Sequence, residues 1–426
     1  MALLLATASR YGFHRDELYF LVAGRRLDWG YVDQPPLTPL IARISEIVAG
    51  TSPWAIRILP ALAVGTVGLL TALIARRLGG GRVAQVFAAF AGSWSGVVLG
   101  EGHLLSTATF DYLLWTVALW ILVRILGGAD PRWWFGFGAA VGVGMQNKYT
   151  IGFFAVATVI GLLATPQRRL LTGRLPWIGA GIALAIATPN LLWQAANDWP
   201  QLELADALRA RSDGPIAFVL NQPLLLSITL AIPAAAGLWR LARSTELRQW
   251  RPIAVTYVVL FVLFLATGGK AYYLAPMNSV LLAAGALWFA DLGAAAQRVM
   301  AGAAAVGVAI GVLIALPVLP QSTFETLDAT GELRETLGWP EMVGQVAAVH
   351  AQLPPEDRAT ATIMTASYGE AGAIDVLGAE LGLPPAVSGH NNYHLWGPPG
   401  EHGPIIAVGP LANLLFEICP TVDRVD

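Results

Sequence analysis

Residues 58–77, ILPALAVGTVGLLTALIARR, join an unbroken apolar run to two arginines at its end. A helix needs about 20 apolar residues to cross the roughly 30 Å hydrocarbon core of a membrane, and this run approaches that length. Arginines next to a span normally stay on the cytoplasmic side. The stretch therefore predicts a membrane-spanning helix whose carboxyl end faces the cytoplasm.

Nine further apolar runs follow along the chain. They cover residues 83–99, 104–123, 133–146, 150–164, 176–194, 216–239, 252–267, 272–290 and 299–319. Hydrophobic residues make up 55% of the chain and charged residues 13%, against about 25% charge in an ordinary soluble domain. We therefore expect a mainly α-helical, polytopic transmembrane bundle of ten spans. The net charge of −2 gives no reason to expect a nucleic-acid partner.

The connectors between the runs differ in charge. Those after the first, third, fifth, seventh and ninth run carry thirteen arginines, whereas the alternate connectors carry only Lys148, Arg209, Arg211 and Lys270. The positive-inside rule then places residues 1–57 and 320–426 outside the cytoplasm. Met1 to Ala8 is apolar but too short to span, so we expect it to be the outer end of a first helix that begins before this chain, which would add an eleventh span.

The outer loop at residues 9–57 is the most charged part of the membrane region. Its segment 15–40, RDELYFLVAGRRLDWGYVDQPPLTPL, holds four acids and three arginines, and acids beside an apolar bundle usually do chemistry or bind cations. Asp16 and Glu17 would point about 100° apart on a helix, so one would face a cavity while the other braces a neighbour. Asp33 precedes a stiff Gln-Pro-Pro turn. The alternatives are a helix-start acid for Asp16 and a simple Asx turn for Asp33.

Lysine usage is equally uneven. The chain has only two lysines, Lys148 and Lys270, and each lies in a very short outer connector. They are either two snorkelling side chains at helix ends or two ammonium groups that meet one anionic ligand, such as a lipid phosphate. Asp111 lies inside an apolar helix, so we expect it to face a wet cavity or a cation.

Several short motifs occur in order along the chain: DELYF at 16–20, YVDQPPL at 31–37, STATFD at 106–111, NKY at 147–149, KAYYLAP at 270–276, SYGEAG at 367–372 and SGHNNYHLWGPP at 388–399. Together they resemble the GT-C glycosyltransferases of family 39, which include protein O-mannosyltransferases and the lipid A aminoarabinose transferase. The resemblance covers nearly the whole membrane region.

The resemblance implies a membrane enzyme that moves a sugar from a polyprenyl-phosphate donor to an acceptor glycan, lipid or protein, with inversion, at the extracytoplasmic face of the bacterial inner membrane. Matched by position, Asp16 would be the general base, with Glu17 and Asp33 as further catalytic acids. The donor phosphate would be bound by Lys148, Lys270, Gln34 and Arg57; the sugar or acceptor would be bound by Asp111, His103, Tyr149, Tyr272 and Tyr273. No cofactor is certain, and a divalent cation is an open alternative.

One departure concerns Gln34, because the aminoarabinose transferase has a lysine before its Pro-Pro pair. Gln34 can donate hydrogen bonds to a phosphate but brings no charge. Neutralisation would then fall on the two lysines or on an arginine such as Arg57.

Residues 320–426 predict a small extracytoplasmic α/β domain beside the membrane domain at 1–319. Helical signals around 333–353 precede two strand-like segments at 361–365 and 405–409. The chain ends soon afterwards, which leaves room for an incomplete domain. His390, His394 and His402 either form a metal site or belong to a loop that folds over the outer cavity.

A transporter or lipid-carrier flippase without catalysis is the competing class, because buried acids and lysines would serve it equally well. Such a protein would be expected to show inverted repeats or broken helices near the membrane midplane. The unusual polar residues instead gather at one predicted surface.

Overall fold

The computed structural model describes residues 1–323, 331–397, 403–410 and Leu415. The helices before residue 320 are α1 (Ala2–Thr7), α2 (Arg15–Arg25), α3 (Leu37–Ala49), α4 (Pro53–Arg77), α5 (Arg82–Trp94), α6 (Gly96–His103), α7 (Thr107–Leu126), α8 (Trp133–Met145), α9 (Thr150–Leu163), α10 (Leu175–Ala196), α11 (Pro200–Ala210), α12 (Gly214–Leu225), α13 (Ala231–Arg243), α14 (Arg251–Thr267), α15 (Asn278–Asp291) and α16 (Ala294–Ala315). Short 3₁₀ turns occupy Pro166–Thr172, Arg248–Trp250 and Ala271–Met277.

The chain is a multi-pass integral membrane protein. Within the described residues, six helical segments are long and apolar enough to cross a membrane: α4, α7, α10, α16, and α14 and α15 with the turns before them. Two bent pairs, α5 with α6 and α9 with its following 3₁₀ turn, raise the number to eight if each pair is one span. The expected class, a mainly helical membrane bundle, is confirmed.

The expected count of ten differs at two places. Residues 133–146 form a helix of 13 residues, which is short for a span. Residues 216–239 form two helices, α12 and α13, because Ser227 and Ile228 adopt positive φ angles of 52° and 59° between them. Ser227 packs against Gly311 of α16, where an added Cβ would lie 2.8 Å from the Ser227 hydroxyl. Hydropathy does not detect a break that tertiary packing creates.

The carboxyl-terminal part of the described chain forms a small α/β unit. Its strands are β1 (Thr362–Thr365), β2 (Ala386–Ser388) and β3 (Ile405–Val408), in the parallel order β2-β1-β3. Its helices are α17 (Gly331–Arg334), α18 (Trp339–Gln352), α19 (Pro355–Thr360), α20 (Tyr368–Leu377) and α21 (Asn392–Trp396). The two strands predicted from the sequence, β1 and β3, are confirmed, whereas the three-residue β2 gave no clear signal.

This α/β unit lies directly on α2 of the first loop. Gly369 and Gly372 of α20 allow the two helices to touch, because a Cβ on Gly372 would stand 3.0 Å from the backbone carbon of Leu18. The buried ring of Tyr19 lies between the two parts, with the ring of Tyr368 at 5.2 Å and that of Trp396 at 6.2 Å. The first loop is therefore covered by the end of the chain.

Candidate active site

Asp16 stands in the first turn of α2, where its side chain remains 36% exposed. The hydroxyl of Tyr368 donates a hydrogen bond of 2.6 Å to its Oδ1. Arg15 lies 3.6 Å from the same oxygen, and among the described residues Oδ2 has only His14 Nδ1 nearby, at 4.0 Å. Asp16 therefore presents an accessible carboxylate oxygen that is held in place by a residue 352 positions away.

Asp33 is held by two donors at the end of the same loop. The Tyr19 hydroxyl donates to its Oδ1 at 2.7 Å, and the Asn391 amide donates to its Oδ2 at 3.3 Å. Burial raises the pKa of Asp33 to about 7; the Tyr19 hydrogen bond opposes this, and nearby Asp16 adds to it. The structure thus places Asp16 close enough to Asp33 to affect its pKa.

Glu17 points the opposite way and is fully buried. It forms a two-pronged ion pair with Arg57, at 2.9 Å to Nε and 2.6 Å to Nη2, and accepts the backbone N–H groups of His14 and Leu105 at 2.8 and 3.0 Å. Arg57 also donates to the carbonyls of Ala8 and Gly12. This geometry occupies both side chains: Glu17 braces the loop, and Arg57 is not directed at a phosphate as the sequence suggested.

Gln34 and His103 are both buried, with exposures of 2% and 1%. Within the described residues, neither side chain has a hydrogen-bond partner. His103 lies close enough to Arg57 and His14 to interact with them electrostatically. His103 therefore lies near the buried Arg57, and its role in sugar binding stays a prediction.

Lys148 lies beside the tyrosines that follow Lys270. Its ammonium group is 4.7 and 4.8 Å from the ring centroids of Tyr272 and Tyr273, and Nζ is 3.4 Å from the Tyr272 hydroxyl. Tyr272 in turn lies within electrostatic range of Asp16. The described residues give Lys148 no carboxylate within ion-pair distance, so its charge is available to an anion.

Asp111 and Glu101 lie within electrostatic reach of this lysine, whereas Lys270 lies near a different acid. Asp111 is buried, accepts hydrogen bonds from Trp115 at 3.0 Å and Thr150 at 2.8 Å, and lies in the field of Lys148. Lys270 begins the 3₁₀ turn before α15 and is 3.9 Å from Asp213. The field of Lys148 also reaches Glu101, a half-buried acid that was not selected from the sequence.

Tyr149 belongs to a different contact. Its hydroxyl donates to Asn190 of α10, and Asn190 donates to the carbonyl of Trp29 at 2.8 Å. Gln194, one turn further along α10, donates to the carbonyl of Tyr31 at 3.2 Å. These contacts fasten the middle of the first loop to α10, so Tyr149 also serves to position Asp33.

The described residues contain no group of three or more histidines, cysteines or acids that could hold a metal ion. His390 and His394 are exposed, and the ring of His390 packs edge-on against Tyr368 at 4.9 Å. His402 lies outside the described residues.

Three residues at the site were not predicted from the sequence: Tyr368, Asn391 and Asn392. Asn392 accepts the N–H of Val32 at 2.7 Å, next to the Asn391 contact with Asp33. They belong to the motifs at 367–372 and 388–399, but nothing in the composition of these motifs indicates that they contact a loop more than 350 residues earlier in the sequence.

Comparison with known proteins agrees with this arrangement. Residues 33–193 match the family described as dolichyl-phosphate-mannose-protein mannosyltransferase. No curated protein matches the chain by sequence.

Solved structures show the same fold. ArnT from Cupriavidus metallidurans bound to undecaprenyl phosphate is 15% identical with a TM-score of 0.65, covering 91% of this chain and 84% of that one. Its apo form is 16% identical with the same TM-score, covering 91% and 83%. The arabinofuranosyltransferase AftD from Mycobacteria is 19% identical with a TM-score of 0.50, covering 85% of this chain and 30% of its own.

At these identities the structures establish the shared fold, while the family match supplies the chemistry that the fold alone does not. That family is named for a polyprenyl-phosphate-linked sugar donor, which favours a glycosyltransferase over the competing class of transporters. The matched segment begins at Asp33 and includes Lys148 and Asn190, the α10 residue that donates to the carbonyl of Trp29. Residues 33–193 are thus similar to the dolichyl-phosphate-mannose-protein mannosyltransferase family, and the fold of 91% of the chain is similar to that of ArnT.

Proposed function

We propose that the chain transfers a sugar from a polyprenyl-phosphate carrier to an acceptor at the extracytoplasmic face of a bacterial inner membrane, with inversion at the anomeric carbon. Two observations carry this proposal: Asp16 presents an accessible carboxylate, and the ammonium group of Lys148 lies against Tyr272, a residue within electrostatic range of Asp16. One group can accept a proton and the other can receive an anion.

The chemistry follows from these two charges. The acceptor oxygen or nitrogen attacks the anomeric carbon while Asp16 takes its proton, a step worth about 10²- to 10⁴-fold in rate. A new bond forms at the anomeric carbon as the bond to the phosphate oxygen breaks. The phosphate leaves as an anion, so it needs a cation rather than a general acid, and we assign that charge to Lys148, with Lys270 as the second predicted cation.

The other acids have supporting roles in this proposal. Asp33 and Asp111 border the region between the two charged groups and have the carboxylate oxygens that orient sugar hydroxyls. Asp111 is fixed by Trp115 and Thr150, and Asp33 by Tyr19 and Asn391.

The lipid part of the donor needs an apolar path. An apolar cavity of about 480 Å³ lies between α8, α9 and α10, and Tyr149, the residue that follows Lys148 in the sequence, lines it. Its other lining residues include Val141, Phe153 and Trp177. We assign the prenyl chain to this groove, because its site-side end would leave the phosphate near the lysine.

The test is transfer by the purified full-length protein with undecaprenyl-phosphate-linked hexose and pentose donors, since a similar enzyme was crystallised with undecaprenyl phosphate. We expect Asp16→Asn to lose transfer by at least about 100-fold while still binding undecaprenyl phosphate. Lys148→Gln should weaken binding of the carrier, and Lys148→Arg should restore part of it. Wild-type turnover by Asp16→Asn would refute the assignment of the base.

A further inference from the structure

The carboxyl-terminal α/β unit reaches both acids of the proposed site. Tyr368 opens α20 and donates to Asp16, and Asn391 precedes α21 and donates to Asp33. These contacts join residues 352 and 358 positions apart. They are therefore made by the fold of the whole chain and not by the local turn.

The position of Tyr368 is fixed by the residues around it. Ser367 and Glu370 form a capping box at the start of α20: Ser367 accepts from the Glu370 N–H, and Glu370 accepts from the Ser367 N–H at 2.9 Å. Gly369 then allows α20 to approach Arg15, since an added Cβ would stand 2.8 Å from the Arg15 Cβ. The hydroxyl is thereby directed at Asp16, the next residue.

The Tyr368 hydroxyl is a donor throughout the working pH range. Burial raises its pKa well above the ordinary value, and the neighbouring Asp16 carboxylate raises it further. The proton therefore stays on tyrosine, and the contact with Asp16 is a neutral donor to a carboxylate. Such hydrogen bonds are short and strong, in keeping with the 2.6 Å separation.

Asn391 reaches Asp33 from an unfavourable backbone conformation. Its φ of 50° and ψ of −141° lie outside the regions that residues other than glycine usually occupy. Such conformations persist where the surrounding structure enforces them, and they gather at functional sites. Here the next residue, Asn392, holds the N–H of Val32 at 2.7 Å, so the loop is fastened at both positions.

We propose that the carboxyl-terminal unit completes the catalytic site, with Tyr368 and Asn391 acting as positioning residues for the carboxylates of Asp16 and Asp33. Tyr368 restricts Asp16 to the orientation in which its Oδ2 faces the acceptor, while Asn391 keeps Asp33 facing the sugar. This inference rests on the proposed function, because it gives Asp16 and Asp33 their roles.

Kinetics of the full-length protein in lipid nanodiscs, with an undecaprenyl-phosphate-linked sugar, test the proposal. Tyr368→Phe removes one hydroxyl and keeps the ring packing. We expect kcat to fall about 10- to 100-fold, the scale of a hydrogen bond to a charged group, while KM for the donor changes less than about two-fold. Tyr393→Phe is the matched control: it loses a 2.9 Å hydrogen bond to Asp375 within the same unit and should keep kcat within about two-fold.

A second measurement separates positioning from a general loss of structure. If Tyr368 acts through Asp16, adding Tyr368→Phe to Asp16→Asn should lower the residual single-turnover rate by less than about two-fold. An equal loss in both backgrounds would show that Tyr368 acts independently of Asp16 and would overturn the inference.

Asn391→Gly tests the contact with Asp33 independently of Tyr368. Glycine accepts a φ of 50° without strain, so this variant loses the amide and keeps the backbone conformation. We expect it to fold at least as stably as wild type and to lose activity. If Tyr368→Phe and Asn391→Gly are both fully active while Asp16→Asn is inactive, the positioning role of the carboxyl-terminal unit is refuted and the proposed function stands. If Asp16→Asn is active, the proposed function itself is refuted.

Discussion

At the scale of single residues, two neighbouring acids have been given opposite roles. Asp16 is partly exposed, with one carboxylate oxygen that accepts no hydrogen bond from the described residues, whereas Glu17 is fully buried with Arg57. Helix geometry predicted that they would diverge by about 100°, but it did not indicate which of them would turn inward. That choice depends on Arg57 and Leu105, which lie 40 and 88 residues away in the sequence.

Glu17→Gln should therefore act on stability more than on chemistry. It leaves the buried Arg57 without a counter-charge, which costs about 3–5 kcal/mol when one partner of a buried pair is removed. Thermal unfolding in detergent would measure this as a lowered Tm. Glu46→Gln breaks the more exposed pairs with Arg25 and Arg43 and should cost roughly 1 kcal/mol or less. Unchanged stability with lost transfer would instead make Glu17 part of the chemistry.

The pH dependence of transfer should follow Asp33. Its pKa of about 7 means that the carboxylate forms as the pH rises through neutrality, so kcat/KM should fall on the acid side of that value. The Tyr19 hydroxyl lowers the pKa of Asp33, so Tyr19→Phe should raise it and move the acid limb to higher pH. A pH–rate profile measures both effects. Tyr31→Phe, which loses hydrogen bonds to backbone groups, should leave the limb in place; an unmoved limb in Tyr19→Phe would exclude Asp33 as its source.

At the scale of elements, apolar length predicted most helices of the bundle and failed where packing decides. The run at 216–239 is as apolar as a real span, yet the contacts of Ser227 with α16 divide it into α12 and α13. The strands β1 and β3 could be predicted because β-branched and apolar residues mark them. The three-residue β2 is too short for such a pattern to show.

The contact between α20 and α2 should depend on Gly372. Gly372→Val would bring side-chain carbons against Leu18 and the backbone of Tyr19, which stand 3.0 and 3.1 Å from a single added Cβ. We expect the unit to lift from the loop and transfer to fall at least about ten-fold, with faster proteolysis between residues 331 and 397. Gly344→Val, on α18 with no atom within 4 Å of its added Cβ, controls for a larger side chain on a helix of the same unit. Equal activity of the two variants would contradict this prediction.

The groove between α8, α9 and α10 gives a second element-scale prediction. Gly152 lines it, and an added Cβ would meet only the Met145 side chain, at 4.0 Å. Gly152→Leu should fill part of the groove and raise KM for a long-chain donor, with less effect on a short-chain analogue. Gly181→Leu, at an open position on α10, should change neither KM. A KM increase that is the same for both chain lengths would argue against the groove as the prenyl path.

At the scale of the whole molecule, charge asymmetry predicts orientation. With Cys419 replaced by serine, the chain contains no other cysteine, so single cysteines can report on each side. Glu203→Cys, between α10 and α12, should react with an impermeant maleimide in intact spheroplasts, whereas Arg168→Cys should react only after lysis. The reverse pattern would place the proposed site in the cytoplasm and contradict the proposed orientation.

The fold of the whole molecule also determines which site residues could be predicted from the sequence. The motifs around Asp16, Asp33 and Lys148 could be selected because each combines unusual charge with an apolar setting. The partners Tyr368 and Asn391 are ordinary residues in an α/β unit, and only the assembled fold shows that they meet those acids.

The link between Asp16 and Tyr368 also has a consequence for biosynthesis. A ribosome adding about 5–20 residues per second needs roughly 20 to 70 s to make the 352 residues that separate them. Throughout that interval the nascent chain already carries its acids outside the bilayer but lacks the groups that orient them. On the proposed function, transfer is therefore expected to begin only after Tyr368 and Asn391 have been synthesised and have packed onto the first loop.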